Sequence, residues 1–511
     1  MPKHNDAYVV FRGMKPGIYT TWEETNDQVN GFSNAYYKGY QTVQEAESAF
    51  VAYELEAPKQ EPEAPKQEPE AQTLEHMKEP AVLSPDQQEV MDNIQNGNNV
   101  FMTGPGGCGK SFLVKQIYNW ATSQGKRVSV CALTGCAAVL LQCKAKTLHS
   151  WSSIGLASGP SKDVVRRVLK VHHRRKNWEQ VDLLIIDEVS MLSHKILSIL
   201  DTIARIVRRS RAPFGGIQLL LSGDFYQLPP VGEPGDENSG KFCFENPLWE
   251  DLFCQGGVEI MLHTMFRQTN PVYVDILNNI RAGKLTKKGF KTLQSRCVPC
   301  DRTDIRPTKL LPLRRSVNSI NHTEMEKLTG AVKTYKMRHK KKTSDDTASK
   351  SQVDNELKHL RNSVMVEDEL VLKLGAQVMC TYNIEVEGPD SIVNGSCGVV
   401  TAFSEDGLPI VAFVNGVVRK MDFQVWASES VKGISIQQVP LILAWALTIH
   451  KCQGASLDLV EIDVGRSIFE CGQTYVALSR VRSLEGLYLS SFEPDRIRIH
   501  KKVQEYYADF E

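Results

Sequence analysis

Residues 101–112 read FMTGPGGCGKSF, and the middle of that stretch, Gly104 to Ser111, fits the pattern G-x-x-x-x-G-K-[ST]. Gly104, Gly106, Gly107 and Gly109, with Pro105 and Cys108 between them, let the backbone turn tightly and aim its N–H groups at phosphate oxygens. Lys110 can reach the β- and γ-phosphates, and Ser111 can offer a hydroxyl to Mg²⁺. The loop lies between an apolar run (Asn99–Met102) and a helix-like segment (Phe112–Trp120), the strand–loop–helix order that a phosphate cradle needs. The stretch predicts a bound nucleoside triphosphate. It leaves open what hydrolysis drives, because kinases, GTPases, transporters and motors share this loop.

Outward from the loop, short apolar runs alternate with helix-like stretches. VFMT (100–103), VSVCAL (128–133), DLLIID (182–187) and IQLLLSG (217–223) read as buried parallel strands of a doubly wound α/β domain. A second α/β pattern closes the chain: LVEIDVG (459–465), a helix through 472–481, then GLYLSS (486–491). Between them lies a β-rich insert in which Asn415-Gly416 predicts a hairpin turn. The tract 336–356, with MRHKKKTSDDTASKSQ, reads as an exposed or disordered insertion. Upstream, residues 57–70 repeat APKQEPE twice, a composition that cannot bury a core. With its flanks (54–80) it is an extended linker of up to about 80 Å. The chain then divides into a module at 6–53, the linker, a first α/β domain at 81–262 and a second at 263–511.

With 511 residues, two to four well-buried domains are expected. Lys+Arg and Asp+Glu are each 60, so no global basic field announces a nucleic-acid partner and any such surface is local. Twelve cysteines without regular spacing, and no leader before them, suit a reduced intracellular protein. Tyr8 already begins the first module, which leaves no room for a mitochondrial presequence. The nucleus and the cytoplasm, in a cell or a virus-infected one, stay open. The longest apolar stretch, Val439–Ile449, is too short to span a bilayer, so no membrane partner is expected. Cys297 and Cys300 form a lone C-x-x-C, two ligands short of a zinc site.

LLIIDEVSML sets Asp187 and Glu188 at the C-terminal end of a strand, facing the crevice of the phosphate loop. The Asp can hold the Mg²⁺ hydration shell and the Glu can orient an attacking water. SGDFYQLPPV ends the next strand with Asp224 and Gln227, and that Gln can touch a γ-phosphate. Gln87, in LSPDQQ, has two readings: an adenine-reading amide or a helix-start residue. Arg267 in HTMFRQ, and Arg480 and Arg482 in YVALSRVRS, are guanidinium groups that a site between two α/β domains needs from its far side. ALTIHKCQGASLD (446–458) adds Thr448, His450, Lys451 and a Gln-Gly pair, donors able to straddle a nucleotide and a backbone phosphate.

In order and spacing, QQ…GPGGCGKS…TGCAA…TLHSWSSIGL…IIDEVSML…SGDFYQLPPV…MFRQ…LTIHKCQGASLD…YVALSRVRS resembles the core of the PIF (petite integration frequency) family of superfamily-one DNA helicases. The likeness runs from about Leu83 to Tyr507 and includes SMLSHKILSILDTIARIVRRSRAPFGGIQL, similar to a stretch that marks the family. It implies an α/β fold of two RecA-like domains. A wedge insert is expected in the first (about 150–178) and an SH3-like insert in the second (about 384–438). It also implies ATP and Mg²⁺ as cofactors, 5′→3′ unwinding, single-stranded and duplex DNA as partners, and a monomer. Carried over residue by residue, Lys110, Asp187, Glu188, Gln227, Arg267 and Arg480 are catalytic. Ser111 and Asp187 hold the metal, and Gln87, Gly104–Ser111 and Gly454 meet the nucleotide. Thr134, His149, Thr448, His450, Lys451, Gln473, Tyr475 and Arg482 meet nucleic acid. Cys452 departs from the Ser or Ala usual in H-K-x-Q-G. The basic run 164–177, with six Lys/Arg, falls in the wedge and reads either as a duplex-junction contact or as a solvated helix face.

YVVFRGMKPGIYTTWEETNDQVNGFSNAYYKGYQTVQEAESAF (8–50) resembles the hybrid-binding module at the N-terminus of eukaryotic ribonuclease H type one, also found in caulimovirus viroplasmin. This implies stacking by Tyr8, Trp22 and Tyr37, a phosphate contact from Lys38, and RNA–DNA hybrid or duplex RNA as a partner. Gly39 stands where relatives often carry a second Lys. The expected function is an ATP-dependent DNA helicase with a nucleic-acid tether. The alternative is an ATP-gated hybrid-binding clamp that does not unwind. A RecD-like exonuclease subunit would need a partner-docking domain that the chain does not display, and a nucleotide kinase would explain neither Glu188 nor the distant arginines.

Overall fold

The computed structural model describes residues 6–12, 14–29, 36–56, 82–141, 143–300, 306–341, 350–384, 392–428, 433–452, 455–508 and 510. Almost all of the predicted linker lies outside them. The chain forms two units, 1–81 and 82–511.

In the first unit, Ala7–Arg12 is the central strand of an antiparallel three-stranded sheet, flanked by Gly17–Tyr19 and Tyr36–Tyr40. Strand alternation sends Ala7, Val9 and Phe11 to one face, where they pack with Ala46, Ala49 and Phe50 of the helix Val43–Glu56. Tyr8 falls on the other side, with its ring 5.6 Å from that of Trp22.

The second unit begins with the helix Pro85–Gln95, whose start is a capping box. Ser84 accepts from the Gln87 N–H, and the Gln87 side chain accepts from the Ser84 N–H. A six-stranded parallel sheet follows, in the order Lys146–Thr147, Val128–Ala132, Leu183–Asp187, Gln218–Ser222, Asn99–Thr103, Gly257–Met261. All four predicted strands lie in it, and Leu183–Asp187 is buried along its whole length. Helices Ser161–Leu169 and His172–Gln180 occupy the expected wedge region. Val164, Val165, Val168 and Trp178 turn inward, and the Trp178 ring lies 4.6 Å from that of Trp151. The helix His194–Arg208, capped by Ser193, buries Leu197, Ile199, Leu200 and Ile203 against the same core.

A second parallel sheet has the order Ala446–Thr448, Thr308–Leu311, Val460–Val464, Leu487–Phe492. The helix predicted over 472–481 is shorter, Gln473–Leu478. Strands around the β insert extend beyond 384–438. Gln377–Cys380 and Leu441–Leu443 pair within its five-stranded sheet, and the predicted turn at Asn415-Gly416 joins Pro409–Phe413 to Val418–Lys420, with Gly416 at φ 88°.

Two differences from the sequence reading have clear physical causes. The described ends of the tract 336–356 are ordered. Arg338–Lys341 pairs with Ile434–Gln438, and the helix Lys350–Ser363 buries Leu357 and Leu360 against Ile434 and Ile436. Residues 342–349 lie outside the described residues. In addition, the helix Lys501–Ala508, at the end of the span given to the second domain, packs on the first sheet's core. Val503 and Tyr507 are buried there, and the Tyr507 hydroxyl lies 2.5 Å from Thr103 Oγ1. Aromatic burial among Phe225, Tyr226 and Phe244 draws it across.

Candidate nucleotide-binding cleft

The parallel strands of the first sheet deliver their motifs to one edge. At their carboxyl ends follow Gly104–Ser111, Thr134, His149, Asp187 with Glu188, Asp224 with Gln227, and His263–Arg267. A cleft of about 550 Å³ opens there, lined by Gly106, Gly107, Lys110, Ser111, Glu188, Gln227, Arg267, Arg480 and their neighbours. Residues far apart in sequence, from both parallel-sheet halves, meet in it.

The loop needs its glycines for close approach. A Cβ on Gly107 would lie 2.7 Å from Arg267 Cβ, and one on Gly109 2.6 Å from Gln87 Nε2; both positions have left-handed φ. The Lys110 ammonium donates to the carbonyls of Gly104 (2.7 Å) and Pro105 (3.0 Å). Asp187 is buried, and burial pushes its carboxyl up. Ser222 donates to it at 2.7 Å and Ser111 at 3.4 Å. A desolvated carboxylate beside a hydroxyl, at the mouth of a phosphate loop, fits Mg²⁺, whose hard charge favours oxygen ligands. Glu188 adopts φ 59° and ψ 43°, a left-handed conformation uncommon for a residue with a side chain, and it lines the cleft. Gln227 is buried and lines the cleft as well, and its Oε1 has no hydrogen-bond partner among the described residues.

Arg267 and Arg480 both line the cleft, but only Arg480 comes from the second half; Arg267, expected from the far side, follows the first sheet's edge strand Gly257–Met261 beside the phosphate loop. Arg480 is buried and held by its own helix, donating from Nε to Val476 O (3.0 Å) and from Nη2 to Ser479 Oγ (2.9 Å). Arg267 donates to Ser479 O at 3.1 Å. Burial and the neighbouring Arg480 push the Arg267 guanidinium down, and burial lowers Arg480 too. Two neighbouring desolvated cations on a cleft wall gain most from a polyanion bound beside them.

Several predicted roles fall elsewhere. The Gln87 side chain is buried, accepts from the Ser84 N–H at 3.1 Å and donates to Cys108 O at 3.5 Å, so it serves the helix start and touches the phosphate loop. Gln473 is wholly buried, with Oε1 accepting from the Phe469 and Glu470 N–H groups, and is closed to nucleic acid. Tyr475 is buried too, and its hydroxyl accepts from the Gly106 N–H at 2.8 Å, inside the cleft. Arg482 lines the cleft and pairs with Asp458 at 3.1 Å. All three were expected on nucleic acid; the register of the short helix turns Gln473 and Tyr475 inward, whereas Arg482, beyond its end, is exposed.

Of the others, Thr134 accepts from the Ala137 N–H at 3.2 Å and Thr448 from the Lys451 N–H at 3.2 Å, each capping its own turn. His149 is half-buried, and burial lowers its pKa. The backbone of His450 is described but its side chain is not, and Gly454 lies outside the described residues. In the N-terminal unit, the Trp22 ring lies 5.6 Å from Tyr8 and 5.5 Å from Tyr37, and Trp22 and Tyr37 are exposed. The Lys38 ammonium stands 5.5 Å over the Tyr40 ring.

Sequence reasoning missed Phe266. Its ring is exposed at the cleft rim and reaches within 3.3 Å of where a Gly109 Cβ would stand, a flat surface for a base. The signal was present as the aromatic beside Arg267. Cys297 and Cys300 belong to no group of three His, Cys, Asp or Glu side chains among the described residues. No described helix is long and apolar enough to cross a membrane.

Comparison with known proteins supplies context for this geometry. The profile of the PIF1-like helicases matches residues 82–289, that of the DNA helicase Pif1 2B domain residues 356–403, and that of the ribonuclease H1 N-terminal domain residues 6–50. The chain is 37% identical over 430 residues to the ATP-dependent DNA helicase PIF1 of Danio rerio, covering 83% of the chain and 63% of that protein. It is 32% identical over 513 residues to the ATP-dependent DNA helicase RRM3 of Saccharomyces cerevisiae, covering 84% and 68%. A crystal structure of Bacteroides Pif1 helicase in complex with ADP-AlF3 and ssDNA superposes with a TM-score of 0.56 at 29% identity, over 84% of this chain and 98% of that one. The chain spans 61–64% of the length of several curated relatives.

Proposed function

Because the chain belongs to the PIF1-like helicase family, we propose that it couples ATP hydrolysis to unwinding of DNA. The observation that carries this reading is the cleft itself. Lys110, Asp187, Glu188 and Gln227 stand on one half of it, and Arg480 reaches it from the other. A nucleotide there has its phosphates between the loop N–H groups and two desolvated guanidinium groups. Lys110 exchanges the Gly104 and Pro105 carbonyls for β/γ-oxygens. Glu188 orients and polarises the attacking water. Arg267 and Arg480 take up the charge that develops on the transferred group. Ser111 and Asp187 would hold Mg²⁺, which when bound neutralises phosphate charge. Gln227, which lines the cleft at the turn before Pro229 and Pro230, donates from its side-chain amide N–H to the γ-phosphate. Because the two arginines reach the nucleotide from different segments, relative movement of the halves on hydrolysis steps a bound single strand.

The finer reading is 5′→3′ polarity and an N-terminal tether for RNA–DNA hybrids. The tether is supported by the exposed Trp22 and Tyr37 beside Tyr8, an aromatic surface; Lys38, next to Tyr37 on its strand, lies on the opposite face with Val9 and Tyr40. Strand displacement on 5′-tailed, 3′-tailed and hybrid duplexes tests all of this. Unwinding of 5′-tailed DNA that is lost in Lys110→Ala is expected. ATP hydrolysis without displacement on any substrate would favour the hybrid-binding clamp.

A further inference from the structure

The phosphate loop has Gly104, Gly107 and Gly109 at φ 146°, 100° and 85°, so steric restriction alone does not hold its shape. Segments of the first half supply two backbone bonds: Cys108 N–H to Pro105 O (3.4 Å) and Phe266 N–H to Gly107 O (2.9 Å). A third contact comes from the other half, where the Gly106 N–H donates to the Tyr475 hydroxyl at 2.8 Å, between residues 369 apart in sequence. Both groups are buried, so water cannot replace either partner.

Tyr475 stands on the six-residue helix Gln473–Leu478. Just past that helix sits Arg480, braced on Val476 and Ser479. At its other end, Gly472 presses on the turn of Gln227, where a Cβ would lie 2.4 Å from Tyr226 O and 2.5 Å from Gln227 O. One short rigid piece therefore touches the phosphate loop, touches the Gln227 turn and carries a guanidinium into the cleft. A shift of that helix moves all three together.

We propose that Tyr475 is a positioning residue for phosphoryl transfer: its hydroxyl holds the Gly106 peptide so that the loop keeps its reactive shape while Arg480 is seated opposite. The inference rests on the ATP-hydrolysis reading above. It replaces the nucleic-acid contact expected from sequence with a role inside the nucleotide cleft. Lys110 and Ser111, which grip the nucleotide directly, are untouched by loss of the hydroxyl. The effect should therefore fall on turnover more than on nucleotide affinity.

The test uses the full chain with Tyr475→Phe, which keeps the ring and removes the hydroxyl. Single-strand-stimulated kcat should fall about tenfold, because misplacement by a fraction of an ångström at a reacting centre has effects of this order. KM for ATP and affinity for an oligothymidine should each stay within about twofold, with the melting temperature little changed. An unchanged kcat overturns the proposal, and so does a joint decline of kcat, ATP affinity and melting temperature, which would mark a merely structural tyrosine. Should the variant not fold, 3,5-difluorotyrosine at position 475 keeps the shape and weakens the acceptor. Turnover should then drop with the fold retained, and parent-like turnover refutes the idea. A parent chain without DNA-stimulated hydrolysis overturns the ATPase reading itself, and this inference with it.

Discussion

The Lys110 ammonium sits on two loop carbonyls, so a nucleotide has to offer it something better. Lys110→Ala should reduce hydrolysis by on the order of a hundredfold or more, since it removes the mobile cation from the β/γ-phosphates. Glu188→Gln should still bind ATP and stall before cleavage. Filter binding beside a phosphate-release assay separates the two, and near-parent turnover in Glu188→Gln would remove that residue from its water-orienting role. At the rim, Phe266→Ala should raise KM for ATP about tenfold and leave kcat nearly alone, the expected loss for one stacked base. An unchanged KM would mean that the exposed ring has no base against it. His149 gives a pH signature. Burial holds its folded pKa below the ordinary value, so the unfolded chain binds the proton first as pH falls. Its contribution is complete above about pH 6.5 and is lost as pH drops through the lowered folded value. His149→Gln should flatten the decline of the urea midpoint between pH 7 and 5, and a decline as steep as the parent's would exclude this histidine as its source.

Elements differ in how openly the sequence announces them. Strands such as Leu183–Asp187 were legible because an unbroken apolar run buried on both faces has few other uses. The helix Lys350–Ser363 was obscured by the charged tract ahead of it, although Val353, Leu357, Leu360 and Val364 recur at helical spacing and pack on the insert. Tyr475 could not be read from local pattern. Its direction depends on how a six-residue helix sits against a loop some 370 residues earlier, a relation no window of sequence contains. Gln87 is the opposite case: its helix-start reading was local, and the capping box shows it. Between elements, Arg281 of the helix Pro271–Arg281 bonds to the fully buried Asp224 at 2.9 Å, with its guanidinium 4.6 Å from the Tyr226 ring and 5.3 Å from the Tyr507 ring. Arg281→Met should cost about 3–5 kcal/mol, because it leaves a buried carboxylate without its partner. A urea midpoint equal to the parent's would mean that water reaches Asp224.

The N-terminal unit has its own small core of Ala7, Val9, Phe11 and Ala46. Deleting residues 1–80 should therefore leave single-strand-stimulated ATPase within about twofold and selectively weaken binding to RNA-containing duplexes, as loss of a tether lowers local concentration without touching chemistry. Trp22→Ala with Lys38→Ala should reproduce most of that loss. Equal affinity of the isolated module for hybrid, duplex DNA and duplex RNA would instead point to protein docking. The helix Lys501–Ala508 has a consequence for how the molecule is made. Phe101, Phe225 and Trp249 leave the ribosome early, yet Tyr506 and Tyr507, which complete their aromatic cluster, emerge some 250 residues after Trp249. At roughly 5–20 residues per second, the first half waits about 10–50 s with that surface uncovered. During that interval the nascent chain is a chaperone substrate, and the order of synthesis, rather than the strength of any one contact, sets when its first domain is finished.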